Sequence, residues 1–233
     1  MIDVRPFASL GAVQIDWLNA HHHFSFGHYH DPKRMGVGPL RVWNDDTIKP
    51  KTGFDPHPHR DMEIITYVRK GAITHQDRLG NEGRTVAGDV QVMHAGTGIV
   101  HAEYNLEDEE TQIFQIWINP DRAGHEPGWG AMSFPDKSSG SFTTLASGRP
   151  DDKASNILSI HQDAAVLGTK LKTGEEVTYS FNDGRQGYLV STDADIEVNG
   201  AFAEARDGIH VLGEDKITVL ALGDTDIVMV DVA

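Results

Sequence analysis

A succession of short segments rich in Val, Ile, Thr and aromatic residues most constrains the fold of this chain. Each segment is apolar throughout or alternates apolar with polar residues, which is the pattern of a β-strand with one or both faces buried. Because many short strands and no long amphipathic helix are evident, the chain is predicted to be all-β, as a sandwich or barrel. The predicted strands are Leu40 to Ile48, Met62 to Val68, Thr85 to Met93, Gln112 to Ile118, Glu176 to Phe181, Tyr188 to Thr192, Asp195 to Val198, Ile217 to Leu222 and Ile227 to Val232.

Turn signals separate the predicted strands. Glycine beside Asn, Asp or Lys is frequent in tight turns, because glycine adopts positive φ without steric cost. The stretch from Asn119 to about Asn156 has a different composition, dominated by Gly, Pro, Ser and Asp, and it is predicted to connect two β units. The turn signals are Lys70-Gly71, Leu79-Gly80-Asn81, Asn182-Asp183-Gly184, Asn199-Gly200 and Gly223-Asp224.

The length of 233 residues suffices for one large β domain or two small ones, and either can bury a sizeable core. We place an N-terminal metal-binding domain at residues 1–130, a linker at 131–156 and a C-terminal domain at 157–233. The second half contains neither a His-x-His nor a His-x-Glu sequence. Only the first half is therefore predicted to carry chemistry.

Charge and cysteine content exclude several classes of function. The chain has 20 Lys and Arg against 35 Asp and Glu, a formal charge of −15, which repels phosphate backbones and anionic membranes at long range. Direct nucleic-acid binding is therefore not expected. The absence of cysteine rules out disulfides, thiolate metal sites and cysteine nucleophiles. No leader pattern and no apolar run of about 20 residues is present, so a cytoplasmic protein without membrane contact is expected.

Two pairs of potential metal ligands stand out, His57-Pro58-His59 and His101-Ala102-Glu103. On a strand, residues i and i+2 project from one face, so two adjacent strands can aim three imidazoles and one carboxylate at one point. Among 13 histidines a single His-x-His is expected by chance. The second pair, placed after a glycine-rich turn, is what favours a metal site over scattered surface histidines.

The chemistry of such a site is only partly fixed by its ligands. Imidazole and carboxylate suit iron, nickel, copper, zinc or manganese alike. One carboxylate against a divalent ion leaves a net positive centre, which favours an anionic ligand such as a deprotonated phenol or enol. Four protein ligands leave positions open on a five- or six-coordinate ion, as catalysis requires, whereas a closed tetrahedral site would suit structural zinc.

Both ligand pairs lie in segments that resemble a known family. Gly53 to Gly71, GFDPHPHRDMEIITYVRKG, and Gly96 to Asn105, GTGIVHAEYN, resemble the two metal-binding motifs of the cupin superfamily, and in detail those of the pirin family. The resemblance is strong over about the first 120 residues and weak beyond them. Further segments similar to pirins are His23-Phe24-Ser25-Phe26, Asp31-Pro32, Leu40-Arg41-Val42, Asn44-Asp45-Asp46 and Gln115-Ile116-Trp117-Ile118.

Pirins are bicupins, with two antiparallel β-barrel or jelly-roll domains in tandem, and their N-terminal barrel holds the metal. The resemblance therefore implies that His57, His59, His101 and Glu103 are the ligands. General cupins use the glutamate four residues past the second histidine, here Glu63, whereas pirins use Glu103. We expect Glu103 as the ligand and Glu63 as a partner that orients an imidazole.

The resemblance also implies a function. Bacterial pirins of this length show quercetin 2,3-dioxygenase activity, whereas animal pirins are nuclear iron-dependent transcriptional co-regulators. The first hypothesis is a dioxygenase that opens the heterocycle of quercetin or a similar flavonol with loss of carbon monoxide, using Glu103 as both ligand and base. The alternative is a non-catalytic metal-bound regulator with a protein partner.

The expected cofactor is one divalent transition metal, with Fe(II) first and Cu, Ni, Zn, Mn or Co as alternatives. The expected partners are a small enolisable aromatic molecule and dioxygen. A further metal tract at His21-His22-His23 with His28 and His30 is a weaker hypothesis, and packing of the neighbouring phenylalanines explains that segment better. The acidic run Glu107 to Glu110 is predicted to be a solvated turn.

Overall fold

The prediction of an all-β protein is confirmed. The computed structural model describes residues 1–134, 140–152 and 156–233, and within these ranges the only helix is one short 3-10 turn, Phe7–Ser9. None of the described segments forms a helix with the length and apolarity needed to cross a bilayer. The strands are β1 (Ile2–Arg5), β2 (Gly11–Gln14), β3 (Leu18–His22), β4 (Leu40–Ile48), β5 (Thr52–His59), β6 (Glu63–Lys70), β7 (Ala72–Asp77), β8 (Glu82–Val86), β9 (Val90–His94), β10 (Ile99–Asn105), β11 (Thr111–Ile118), β12 (Gly128–Met132), β13 (Thr143–Ser147), β14 (Leu158–Ser159), β15 (Ala164–Leu171), β16 (Glu176–Ser180), β17 (Gln186–Ser191), β18 (Ile196–Val198), β19 (Ala201–Ala203), β20 (Gly208–Leu212), β21 (Lys216–Ala221) and β22 (Thr225–Val232).

The chain forms two compact units. The N-terminal unit comprises Gly11–Pro135 and Ala154–Gln162, and the C-terminal unit comprises Met1–Leu10, Asp136–Lys153 and Asp163–Ala233.

This division differs from the predicted boundaries of 1–130, 131–156 and 157–233. The first ten residues belong to the C-terminal unit because β1 pairs with β20 along its whole length, from Ile2 opposite Val211 to Arg5 opposite Gly208. The predicted linker, 131–156, contains β13, and residues 135–139 and 153–155 of it lie outside the described residues.

The N-terminal unit contains a seven-stranded sheet, in the order β12-β9-β6-β11-β4-β3-β2, and a four-stranded sheet, β5-β10-β7-β8. Strand β5 lies at the edge of the smaller sheet, where the missing amide hydrogens of Pro56 and Pro58 break no ladder between two neighbours.

Inward-facing residues of the N-terminal unit form layers. Because side chains alternate along a strand, β6 presents Ile64, Thr66 and Val68 to one face, and Thr66 reaches the interior carboxylate of Glu103. Val68 belongs to one apolar cluster and Ile64 to another. A polar layer therefore lies between two apolar ones.

The C-terminal unit has two sheets filled by one apolar cluster. Strands β20, β17, β22, β15 and β13 continue from β1 in one sheet, and the other runs β16-β21-β18-β19. Both sheets contribute to the cluster: Leu167, Leu189 and Met229 come from the larger sheet, and Val198 and Val219 from the smaller. Aliphatic burial of this kind is the main stabilising term for a sandwich.

Individual turn predictions illustrate the local physics. Asn199 and Gly200 both have positive φ, 48° and 79°, and close the two-residue hairpin between β18 and β19, as the Asn-Gly signal predicts. The predicted strand Thr85 to Met93 was wrong as a single element. It divides into β8 and β9 because Gly88, with φ of 87°, turns the chain between them.

Candidate metal centre

The predicted ligand pairs lie on adjacent antiparallel strands. In the pairing of β5 with β10, His57 lies opposite His101 and His59 lies opposite Ile99. The register shifts between His101 and Glu103, where an irregularity of the β-bulge type interrupts the ladder. Such bulges re-aim side chains, and they are frequent beside functional sites.

The three predicted imidazoles form one cluster. Ring centroids are 4.5 Å apart for His57 and His101, 4.8 Å for His57 and His59, and 5.0 Å for His59 and His101. One ring nitrogen of each lies within 4.8 Å of the others, which is close enough for a single ion to contact all three.

Hydrogen bonds leave one nitrogen of His57 free for an ion. The Nδ1 of His57 lies 2.7 Å from the carbonyl oxygen of Asp55. Since a carbonyl only accepts hydrogen bonds, Nδ1 carries the proton and Nε2 of the neutral ring carries the lone pair.

A chain of hydrogen bonds does the same for His101. The Asp77 carboxylate lies 3.1 Å from Nε2 of His75, which must donate to it, so the Nδ1 of a neutral His75 is an acceptor. That atom lies 3.4 Å from Nδ1 of His101, which therefore donates. Nε2 of His101 is left with its lone pair, and it is buried without a hydrogen-bond partner among the described residues. A carboxylate and an imidazole thus orient the imidazole of His101.

Burial favours the neutral form of His59 and His101. Burial, followed by repulsion from the nearby His57 imidazole, lowers the pKa of His59 to about 4. Burial together with the neighbouring imidazoles lowers the pKa of His101 to about 2. Both side chains are therefore neutral near pH 7, which is the form of imidazole that binds metal.

Glu103 is buried, with 1% of its surface exposed, and it accepts three hydrogen bonds. Thr66 and Gln91 donate to Oε1 over 3.3 and 2.7 Å, and Gln115 donates to Oε2 over 2.8 Å. Burial raises the pKa of the Glu103 carboxyl to about 7, although these three donors act in the opposite direction. A carboxylate has about four acceptor positions, so one remains, on Oε2.

Both amides beside Glu103 are oriented by donors on their oxygen atoms. Thr85 donates to Oε1 of Gln91 over 2.9 Å, and Trp117 donates to Oε1 of Gln115 over 3.1 Å. Each NH₂ group must therefore face Glu103, which fixes the direction of the carboxylate.

Glu103 does not fall within the group of His57, His59 and His101. It belongs to an overlapping group with His101 and His75, in which the ligand atoms also lie within 4.8 Å of one another. The structure thus brings three of the four predicted ligands together and links the fourth to them through His101.

Several residues of this centre were missed by the sequence analysis. His75 is fully buried and stacks on Trp129, with ring centroids 5.0 Å apart and planes 10° apart. Gln91 and Gln115 are buried amides on otherwise apolar inward faces. The available signal was a single polar residue within an apolar alternation, as in Ile113-x-Gln115-x-Trp117.

Glu63 lies elsewhere. It accepts hydrogen bonds from His94 and His161, so the imidazoles it orients are not those of the predicted set. The reason is strand parity: Glu63 projects from the face of β6 opposite to Thr66, which contacts Glu103.

The histidine tract near the N-terminus forms no potential metal-binding group among the described residues. His22 binds Asn44 instead, with 2.8 Å between Nδ1 and Oδ1, and His23 is fully buried. The acidic run is partly neutralised by ion pairs of Glu107 with Arg84 and Asp108 with Lys51.

Two open pockets reach the centre. One of about 390 Å³ includes His59 together with Arg60 and Arg78, and another of about 370 Å³ includes His101. Neither Arg60 nor Arg78 forms an ion pair within the part of the chain that the structure describes. The first pocket therefore places two positively charged side chains beside a predicted ligand.

Two tandem β units, one with clustered imidazoles and a buried carboxylate, define the class as a bicupin. The family profile described as Pirin matches residues 4–118, and the profile described as Quercetinase C-terminal cupin domain matches residues 144–232. The chain belongs to the pirin family.

Relatives cover the whole chain. A pirin-like protein of Caulobacter vibrioides is 59% identical over 234 residues, covering 100% of both chains. A quercetin 2,3-dioxygenase of Escherichia coli K12 is 36% identical over 232 residues, covering 99% of this chain and 98% of its own. The structure is similar to that of the bacterial pirin YhhW from Escherichia coli in complex with nickel(II), with a TM-score of 0.92, 35% identity, and coverage of 100% of this chain and 99% of that one.

Proposed function

We propose that this protein is a metal-dependent dioxygenase that opens the heterocycle of quercetin or a similar flavonol, with His57, His59, His101 and Glu103 as ligands. The observation that carries the proposal is the buried, unpartnered Nε2 of His101 beside two further imidazoles. An isolated buried nitrogen without a hydrogen bond costs free energy, and an ion removes that cost.

The donor set fits one divalent transition metal. Three neutral imidazoles and one carboxylate are compatible with Fe(II), the first expectation, and with Ni, Cu, Zn, Mn or Co. When bound, the metal supplies positive charge that lowers the pKa of a coordinated hydroxyl group. The relative crystallised with nickel(II) supports the choice of a divalent metal.

Glu103 would accept the proton of the flavonol 3-hydroxyl. Its pKa of about 7, raised by burial, suits a base that works near neutral pH. The one free acceptor position, on Oε2, would contact either the ion or the proton. Gln91, which donates to Oε1, and Gln115, which donates to Oε2, would hold the carboxylate in place in either role.

The substrate would enter through the pocket beside His59. Its volume of about 390 Å³ lies within the usual range for small-molecule sites. Arg60 and Arg78 would attract the negative charge of a deprotonated flavonol. The name of the Escherichia coli relative, a quercetin 2,3-dioxygenase, supports this substrate class.

The test follows the near-visible absorption of quercetin under air, with metal-free protein reloaded with Fe(II), Cu(II) or Ni(II). We expect the absorption to disappear, dioxygen to be consumed and carbon monoxide to be released. Glu103→Gln keeps the shape and removes the base, so turnover should fall about 100-fold or more. His210→Gln, a histidine of the C-terminal unit outside every metal-binding group, is the matched control.

Full turnover by metal-free protein or by Glu103→Gln would overturn the assigned roles. A flavonol left intact with every metal, although the ion binds, would favour the non-catalytic regulator.

A further inference from the structure

A second group of metal-binding side chains lies apart from the predicted centre. It consists of Glu63, His94 and His161, and one ligand atom of each lies within 4.8 Å of the others. The N-terminal unit supplies all three residues. No member is shared with the groups around His101.

This group lies on the opposite face of the seven-stranded sheet. Glu63 and His94 are direct cross-strand partners in the pairing of β6 with β9. Side chains alternate along each strand, so Glu63 and Thr66 project from opposite faces of β6. Thr66 binds Glu103, which places the first centre on the other side of the sheet.

The carboxylate is enclosed while the imidazoles remain accessible. Glu63 is 1% exposed, whereas the His94 and His161 side chains are 16% and 35% exposed. Nδ1 of His94 lies 2.5 Å from Oε2 of Glu63, and Nδ1 of His161 lies 3.1 Å from Oε1. Burial alone would raise the pKa of Glu63, but these bonds and the charges of both rings lower it. The group therefore has a charged anchor and two ligands open to solvent.

The His161 ring is held in place from outside the group. His125 stacks on it with centroids 3.9 Å apart, and Asp121 binds the far side of His125 over 2.6 Å. The backbone is fixed as well, because the amide of Asp121 donates to the carbonyl of His161 over 2.7 Å. Gln162 donates to the carbonyl of Asn119 over 2.8 Å. Little conformational freedom would be lost when an ion binds.

We propose that Glu63, His94 and His161 bind a second divalent transition-metal ion of the zinc class. Two imidazoles and one carboxylate are a common zinc set, completed by water at the remaining positions.

The distances to the carboxylate need only a small adjustment. Bonds of about 2.0–2.2 Å imply ligand separations near 3.4 Å in a tetrahedron, so His94 must move away from Oε2 by about 1 Å and His161 away from Oε1 by less. Coordination through Nδ1 also requires each ring to carry its proton on Nε2, which faces away from the carboxylate.

The ion would tie the segment containing His161 to the sheet. His161 contacts Glu63 of β6, although the two residues are 98 positions apart in the chain. One ion bound to both would replace two hydrogen bonds by stronger links. Its role would be structural and independent of catalysis at the first centre.

The experiment counts zinc ions per chain by equilibrium dialysis and elemental analysis, on protein purified without a chelating tag. The variants are His161→Ala, His101→Ala, the double variant, and His210→Ala as the control. Wild type and control should bind two ions, each single variant one, and the double variant none. Loss of His161 should weaken the second ion at least about 100-fold.

A second readout is thermal unfolding in the His101→Ala background. Added zinc should raise Tm there, and His161→Ala should abolish that rise. Equal ion counts in wild type and His161→Ala would overturn the proposal, as would an ion retained by the double variant. If His101→Ala loses one ion while His161→Ala loses none, the second site is refuted and the proposal for the first centre still stands. The two failures are therefore distinguishable.

Discussion

The two units of this chain have similar two-sheet frameworks and differ in what fills the middle. In the C-terminal unit, facing strands contribute Leu189, Met229 and Val219 to one continuous apolar cluster. In the N-terminal unit, the corresponding layer contains the imidazole of His101 and the carboxylate of Glu103, with apolar clusters to either side.

The comparison indicates that the polar layer is not needed to hold the sheets together. The C-terminal unit demonstrates that aliphatic residues suffice to hold such sheets together. Buried polar groups must be satisfied, and most of those in the N-terminal unit satisfy one another. Nε2 of His101 has no partner among the described residues and lies beside two further imidazoles, which points to a ligand from outside the chain.

The largest effect should come from removing the imidazole of His101, whose Nε2 has no partner among the described residues. His101→Ala removes one of four proposed ligands, so the first ion should bind at least about 100-fold more weakly and flavonol turnover should be lost. Isothermal titration on metal-free protein and the absorbance assay measure both quantities. Unchanged affinity would show that the other imidazoles do not form an ion site with His101.

Breaking the apolar layer should affect stability alone. Leu189 is fully buried, so Leu189→Ala should lower the free energy of unfolding by about 2–5 kcal/mol, through lost burial and the cavity left behind. Ion binding at the N-terminal unit should not change. Denaturant titration measures the difference, with Leu79→Ala, at a side chain 56% exposed, as a control expected within about 0.5 kcal/mol.

A smaller effect is expected when one polar side chain of the polar layer is replaced by an apolar one. Gln115→Leu removes the donor to Oε2 of Glu103 and the acceptor for Trp117, so Glu103 loses its fixed direction. Ion affinity and turnover should fall about 10–100-fold, as for other supporting residues of metal sites.

Gln112→Leu, on the same strand but outside the Glu103 network, is the matched control. Equal effects of both changes would mean that the strand, and not the network, is being perturbed.

The smallest effect concerns the hydrogen bond between Tyr179 and Asp231 in the C-terminal unit. Tyr179 donates a hydrogen bond to the buried Asp231, and burial followed by that carboxylate raises the pKa of Tyr179 above its ordinary value of 10.0. The neutral phenol is favoured in the folded state, so its contribution is complete below pH 10 and declines as pH rises further.

Tyr179→Phe should therefore cost about 1 kcal/mol at pH 7, through the lost hydrogen bond, and flatten the decline in stability above pH 10. Urea unfolding at several pH values tests this. An unchanged alkaline slope would assign the decline to other groups. Asp231 keeps Arg149 and Arg185 as partners, which limits the cost.

Much of the fold was predictable because it depends on local pattern. Strand β4 follows the predicted range Leu40 to Ile48, and the Asn199-Gly200 hairpin follows from the positive φ that its two residues tolerate. The membership of Met1–Leu10 in the C-terminal unit was not predictable, because it rests on β1 pairing with β20, some 200 residues away.

The residue types available for chemistry follow from the amino-acid sequence alone. Without cysteine, an ion must be held by nitrogen and oxygen, and the i, i+2 spacing places His57 with His59 and His101 with Glu103 on single faces of their strands. These facts hold for any arrangement of the sheets.

The partner that each of these groups contacts depends on how the strands pack together. The tertiary structure set the register of β5 against β10, linked Asp77 through His75 to His101, and turned Glu63 away from the first centre toward His94 and His161. The physical reason is that side-chain parity is local, whereas contact across sheets depends on register and on closure of the whole unit. One face of a strand can be read from its own residues, but what lies opposite it comes from elsewhere in the chain.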